Sequence, residues 1–177
     1  MLKVDRDSRY ATNRAQATAN GLKVGAYHFA RPESATGDAV AEADHFIDTA
    51  QPVSGELLPV LDLEQTGGLG TNALTSWTKA FLQRVYERTG VRAAIYTSPS
   101  FWANNMGNSG WFAANDYRVL WVAHWTSAKA PTLPASNWGG LGWTFWQYTS
   151  SGTVPGISGR VDLNRYRSHN FDPVLIP

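Results

Sequence analysis

Apolar and polar positions along the chain switch repeatedly between a helical and an extended period. Ala11, Ala15, Ala19 and Leu22 recur at helical spacing, and Gly21 stands where that helix should stop. Residues 22–29 (LKVGAYHF) then predict a strand ending before Arg31-Pro32. After Gly37, Ala39, Val40, Ala43, Phe46, Ile47 and Ala50 share one face of a second helix. Residues 57–64 (LLPVLDLE) are again strand-like, with Pro59 at an irregular start. A glycine-rich loop, Gly67-Gly68-Leu69-Gly70, leads into the clearest helix, with Thr71 or Asn72 as its N-cap. Leu74, Trp77, Phe81, Leu82 and Val85 face inward there, and Gly90 ends it. Residues 91–97 form a third strand, and Ser98-Pro99 signals a helix start. Residues 119–125 and 143–148 are two more strands, and a short one surrounds Val161-Asp162-Leu163. Residues 126–140, rich in Pro, Ser and Gly, are expected to be loop.

Strands alternating with helices predict an α/β fold built on a parallel sheet with crossover connections. About six strands are expected, with helices sparse after the fourth. An open doubly wound sheet and part of a barrel both fit. Both put function at the C-terminal ends of the strands.

Polar and aromatic side chains gather at those ends. Tyr27, His28 and Phe29 close the first strand, Asp62 and Glu64 the second, Tyr96 and Thr97 the third. His124 and Trp125 close the fourth, Gln147 and Tyr148 the fifth, Asp162 and Asn164 the last. Flat apolar faces with a few hydrogen-bonding groups suit sugar rings, which pair a C–H face with a hydroxyl rim. Trp77, Trp143 and Trp121 are expected in the core. Asp62-Leu63-Glu64 is the sharpest local feature: residues two apart on a strand project to one face, with Cβ atoms roughly 6.6 Å apart. Such a pair serves glycosidic cleavage when one acid is protonated and the other charged, and the spacing leaves retaining and inverting chemistry both open. Glu64, nearer the strand end and longer in reach, is the expected general acid. A pair of loop-edge carboxylates salt-bridged to Arg31 is the plainer alternative.

Composition narrows the function classes. Fifteen Lys and Arg against 14 Asp and Glu give a net charge of +1, which argues against a general nucleic-acid binder. There is no cysteine, so disulfides, thiolate metal sites and cysteine nucleophiles are excluded. No apolar run is long enough to span a membrane, and no secretion signal is visible among the first ten residues. The four histidines lack metal-ligand spacing, and Glu42-Ala43-Asp44-His45 is expected to be a solvated helix face. The Gly67–Gly70 run lacks the lysine of a phosphate loop, and Ser98 lacks the glycines of a nucleophile elbow. Neither metal nor cofactor is expected. Eight Trp, seven Tyr and seven Phe are a heavy aromatic load for so neutral a chain.

Six segments taken in order resemble glycoside hydrolase family 25, the Chalaropsis-type lysozymes or N-acetylmuramidases of bacteria and phages. They are GLKVGAYHF (21–29), PVLDLE (59–64), IYTSPSFW (95–102), LWVAHW (120–125), FWQY (145–148) and GISGRVDLN (156–164). The resemblance implies a (β/α)5β3 TIM-like barrel that hydrolyses the β-1,4 bond between N-acetylmuramic acid and N-acetylglucosamine in peptidoglycan. Glu64 matches the family's catalytic acid. Asp62 matches the companion carboxylate that assists the substrate's own N-acetyl group as nucleophile, a retaining route. Tyr27, Tyr96, Trp125, Gln147 and Asp162 match positions lining the cleft, beside His28 and Phe29 at the end of the same strand as Tyr27. Trp125 stands where many members have tyrosine.

The family opens with a strand of the form Gly-x-Asp-x-Ser, then a second ending in Lys-Ala-Thr-Glu-Gly or similar. Met1-Leu2-Lys3 reads as the tail of that second strand, and the first has no counterpart. The expectation is one catalytic domain over residues 1–177, an N-terminally truncated barrel lacking its first strand and most of the second. Two sheet edges would then be exposed. Such barrels usually run to about 250 residues. The expected partner is bacterial cell-wall peptidoglycan, with no nucleic acid and no membrane. A monomer acting outside the cell or in the wall is expected, although a partner chain would be one way to cover an open edge. Three readings stay open at this point: an active muramidase, an inactive or weakly active peptidoglycan-binding relic, and an open α/β protein whose carboxylates bind a metal.

Overall fold

The computed structural model describes residues 6–177, so the reading of Met1-Leu2-Lys3 as a strand tail lies outside the described residues. The fold is mixed α/β and divides into two compact units: the chain up to Ala93 together with Asp172–Pro177, and Ala94–Phe171.

The first unit holds helices α1 (Tyr10–Ala19), α2 (Asp38–Ala50) and α3 (Thr71–Thr89) and strands β1 (Tyr27–Phe29) and β2 (Val60–Asp62). The strands run parallel, pairing Tyr27 with Val60, His28 with Leu61 and Phe29 with Asp62. Ala39, Ala43, Phe46, Ile47 and Ala50 of α2 and Leu74, Trp77, Phe81, Leu82 and Val85 of α3 are buried as their periodicity predicts, whereas Val40, at the edge of the α2 stripe, is exposed. Both strands are shorter than the apolar runs that contain them. Residues 22–26 instead run against 57–60 through isolated bonds, Leu57 N–H to Val24 O and Val60 N–H to Ala26 O. Leu57 also bridges Leu175 antiparallel, so this stretch shares its partners with the end of the chain rather than extending one ladder. Gly25 permits the approach, since a Cβ there would lie 2.7 Å from that of Leu57.

Helix α3 begins at Thr71 with Gly70 as a cap that offers no side-chain bond, one position before the expected N-cap. It ends at Gly90 in the left-handed conformation, as expected. Helix α1 buries no residue. Polar contacts hold it: Tyr10 Oη and Arg14 Nη1 both donate to Ala50 O, and Arg14 Nη2 donates to Gln51 O. Arg14 thereby satisfies carbonyls left open at the C-terminus of α2 while pairing with Glu56 at 2.7 Å.

The second unit contains β3 (Ala94–Thr97), α4 (Pro99–Asn105), α5 (Trp111–Ala114), β4 (Leu120–Ala123), α6 (Pro134–Gly139), β5 (Phe145–Gly152) and β6 (Val161–Tyr166). Ser98 Oγ accepts from Phe101 N–H, the cap that Ser98-Pro99 predicts. Strands β3, β4 and β5 are parallel, but β6 returns antiparallel to β5. An antiparallel return needs only a loop where a parallel one needs a crossover, which is why helices thin out here. Within 126–140, α6 is a left-handed turn in which Ala135, Ser136, Asn137 and Trp138 all have φ between 51° and 60°. That conformation costs roughly 1–2 kcal/mol per non-glycine residue. Trp138 offsets it: its ring is fully buried against Trp102, and its Nε1 donates to Tyr117 O.

Candidate active site

In the first unit the carboxylate pair sits where the pattern predicts, at the C-terminal end of β2. Asp62 is buried and Glu64, just beyond the strand, is exposed. The two acids therefore meet unlike surroundings, the condition under which carboxyls take unlike roles. Phe29 is the register partner of Asp62, half-buried beside it, and Tyr27, two residues earlier, is exposed. His28 points the other way. Its ring packs on Phe81 at 5.2 Å and Phe46 at 5.6 Å, among the helices, and its Nε2 donates to Glu42 at 2.7 Å. Strand alternation makes this unavoidable once Tyr27 and Phe29 take the opposite face.

Glu42 is not on a solvated face: it is 5 % exposed and also accepts from Arg31 N–H. One turn earlier, Asp38 accepts from Glu33 N–H at 2.9 Å and from Trp77 Nε1 at 2.7 Å. Two buried carboxylates of α2 thus grip the backbone of the loop that follows β1. These residues carried no motif; the i, i+4 spacing of two acids on the apolar side of α2 was the available signal.

In the second unit Tyr96, Trp125 and Gln147 form one hydrogen-bonded group. Trp125 Nε1 donates to Gln147 Oε1 at 2.9 Å, and Tyr96 Oη donates to the same oxygen at 3.1 Å. Gln147 is buried, whereas Trp125 is 62 % exposed. Asp162 is exposed and is the second residue of β6 rather than its last. Because β6 runs antiparallel, that start lies toward the edge where β5 ends.

Trp121, which the sequence assigned to the core, lies beside this group instead. It is half-buried, stands edge-on to Tyr96 with centroids 5.9 Å apart, and donates from Nε1 to Asn164 Oδ1 at 2.8 Å. Register pairs Tyr96 with Trp121, Trp121 with Phe145, and Phe145 with Tyr166, so an aromatic row crosses four strands on the face that also carries Gln147. The signal was parity: Trp121 and Gln147's partner Ala123 lie on one face of β4. His124 Nδ1 accepts from Thr132 N–H at 2.9 Å.

Comparison with known proteins gives these features a family. The model of the glycosyl hydrolases family 25 matches residues 3–157. Lysozyme M1 of Streptomyces globisporus is 38 % identical over 170 residues, 91 % of this chain and 55 % of its own length. The N,O-diacetylmuramidase of Chalaropsis sp is 37 % identical over 163 residues, covering 82 % and 72 % of the two chains. Among solved structures, the bacterial lysozyme of Streptomyces coelicolor superposes with a TM-score of 0.82 at 37 % identity, over 92 % of this chain and 76 % of that one. The chain thus spans just over half the length of the Streptomyces globisporus relative. On sequence and fold alike, the chain belongs to glycoside hydrolase family 25.

Proposed function

We propose that the protein is a muramidase that cleaves the β-1,4 bond between N-acetylmuramic acid and N-acetylglucosamine in peptidoglycan, with retention of configuration. The observation that carries this reading is the Asp62-Leu63-Glu64 motif at the end of β2, one acid buried and one exposed, in a chain of this family. Glu64 donates its proton to the glycosidic oxygen as the C1–O bond breaks. The substrate's own N-acetyl oxygen closes on C1, and Asp62 stabilises the charge that develops on the N-acetyl group. Water, deprotonated by Glu64, then opens that intermediate, so the two carboxyls need not stand at the distance a protein nucleophile requires. By their match to family positions, Tyr27, Phe29, Tyr96, Trp125, Gln147 and Asp162 are each assigned to glycan binding. His28 supports β1 from behind rather than touching sugar. The six strands are those of a (β/α)5β3-type barrel, a reading supported by the likeness to solved structures. The substrate puts the site of action outside the cell or in the wall.

Clearing of bacterial wall suspensions, with reducing ends counted, tests the assignment. Glu64→Gln should lower the rate by about 10²–10⁴-fold, the range for loss of a general acid. Clearing that persists unchanged in this variant would sink the role given to Glu64. Wall binding by wild type with no reducing-end release would favour the binding-module reading instead.

A further inference from the structure

Building on the muramidase reading, we propose that Gln147 is a locked hydrogen-bond donor that selects a carbonyl oxygen on the glycan, and that Trp125 sets the lock. An indole N–H can only donate, so the Gln147 atom 2.9 Å from Trp125 Nε1 must be the amide oxygen. The Tyr96 hydroxyl donates to that oxygen as well, at 3.1 Å, so both of its lone pairs are taken. Rotating the amide would set N–H against N–H at Trp125. The NH2 group is left as the one face of this amide able to serve a ligand, and it has no acceptor among the described residues. Gln147 as a residue is only 5 % exposed, yet its NH2 group is not among the fully buried polar atoms, so it is the part of this side chain open to solvent and to a ligand. An acceptor on a ligand would meet this directed donor in place of water.

A second observation points to the same ligand. Trp125 leaves 62 % of its surface in solvent while its N–H is tied down, so a rigid indole face is presented beside the donor. Trp121 is tethered in the same way to Asn164 on the same face of the sheet. Flat rings beside a directed amide suit an N-acetylated sugar, which offers a C–H face and one carbonyl that accepts and cannot donate. A de-N-acetylated sugar offers an ammonium there, which can only donate. The locked NH2 of Gln147 would meet it donor to donor, so the site discriminates against de-N-acetylated glycan at the binding step, before any bond is broken. A tyrosine in place of Trp125 would impose no such polarity, since a hydroxyl both donates and accepts.

Binding rather than turnover is the test, because removal of the N-acetyl group would also remove the nucleophile. The Glu64→Gln protein is titrated with N-acetylchitotetraose and with its fully de-N-acetylated counterpart at about pH 5.5, where amines are protonated. The N-acetylated tetramer should bind at least about tenfold more tightly. Gln147→Glu keeps an oxygen for Trp125 and Tyr96 and turns the free group into an acceptor, so the preference should fall tenfold or reverse. Trp125→Phe keeps a ring but frees the amide to rotate, and should also reduce the preference; near-UV circular dichroism checks the fold of each variant. An unchanged preference in both variants overturns the inference and leaves the muramidase reading standing if wild type still clears walls. Failure of wild type to bind either glycan or to clear walls overturns both.

Discussion

Gly67 shows how little space separates the loops that flank the carboxylates. A Cβ there would sit 1.5 Å from the carbonyl oxygen of Pro32, and its φ of 57° already disfavours any other residue. Gly67→Ala must therefore displace the loop three residues beyond Glu64 or the loop after β1. We expect a loss of at least about 2 kcal/mol, since strain and overlap act together, read as a lowered midpoint in thermal or denaturant unfolding. A variant as stable as wild type would mean that the two loops are not in register. Gly68, its neighbour, has nothing within 4 Å of the same built atom, so Gly68→Ala serves as the control for backbone strain alone. At this scale the sequence offers candidates where chemistry sets identity and is blind where geometry does. Asp62 and Glu64 stood out because two acids two residues apart are a chemical statement. Trp121 passed as core because nothing in a strand pattern says which face meets solvent. Gly67 was one glycine among four positions of loop, its close approach set by Pro32, thirty-five residues earlier.

Helix α2 has two working sides, and they make separable predictions. Its inner side carries Asp38 and Glu42, which hold the backbone of residues 31 and 33. Glu42→Ala leaves His28 Nε2 and Arg31 N–H without their acceptor and should cost about 1–3 kcal/mol. Glu42→Gln retains an oxygen and should recover much of that loss. Equal damage from both would show that charge, not hydrogen bonding, is what the site needs. The outer side pairs Asp44 with Arg84 at 2.8 Å and with Arg88, while Arg88 also meets Asp48 at 2.6 Å. The hydrogen bond from Arg84 is the main cause that holds the Asp44 carboxyl below its ordinary value, with Arg88 adding to it against some desolvation. A depressed carboxyl contributes stability that is present above its unfolded value, about 3.9, and is lost as pH falls through the folded one. Asp44→Asn should therefore be less stable than wild type near neutrality by about 0.2–1 kcal/mol, as expected of exposed pairs, and the gap should close as pH falls through the depressed folded value. Unfolding midpoints of the two proteins across pH give the comparison, and a gap that persists in acid would assign it to packing. The helix itself was plain from its apolar period. Its two sides were not, because Glu42 and Asp44 stand only two residues apart and only the fold shows that one is buried and the other meets α3.

For the molecule as a whole, the alternation of apolar strands and amphipathic helices was enough to name the α/β class and to single out the strand ends as candidates. What it could not show is where pairing stops, since an apolar run looks the same whether a ladder or a lone bridge uses it. The direction of β6 was hidden for a related reason: antiparallel pairing depends on the connection, and 153–160 reads simply as loop. Net charge is the property that sequence states outright, and it carries the last prediction. Fifteen cations against 14 anions leave a net charge of +1, and several of these groups are already matched in pairs, such as Arg14 with Glu56 and Arg84 with Asp44. A protein so balanced has little long-range field with which to gather itself onto an anionic wall. Raising ionic strength from about 50 to 300 mM shortens the screening length about 2.5-fold, from about 14 to about 6 Å, which suppresses steering and leaves short contacts largely intact. The hydrogen bonds and aromatic faces assigned to the glycan are short contacts. Wall-clearing rates should therefore change by less than about threefold over that range, whereas an enzyme steered by a basic surface would lose tenfold or more. A steep decline with salt would show that local clusters such as Arg160, Arg165 and Arg167 act on the wall despite the neutral total.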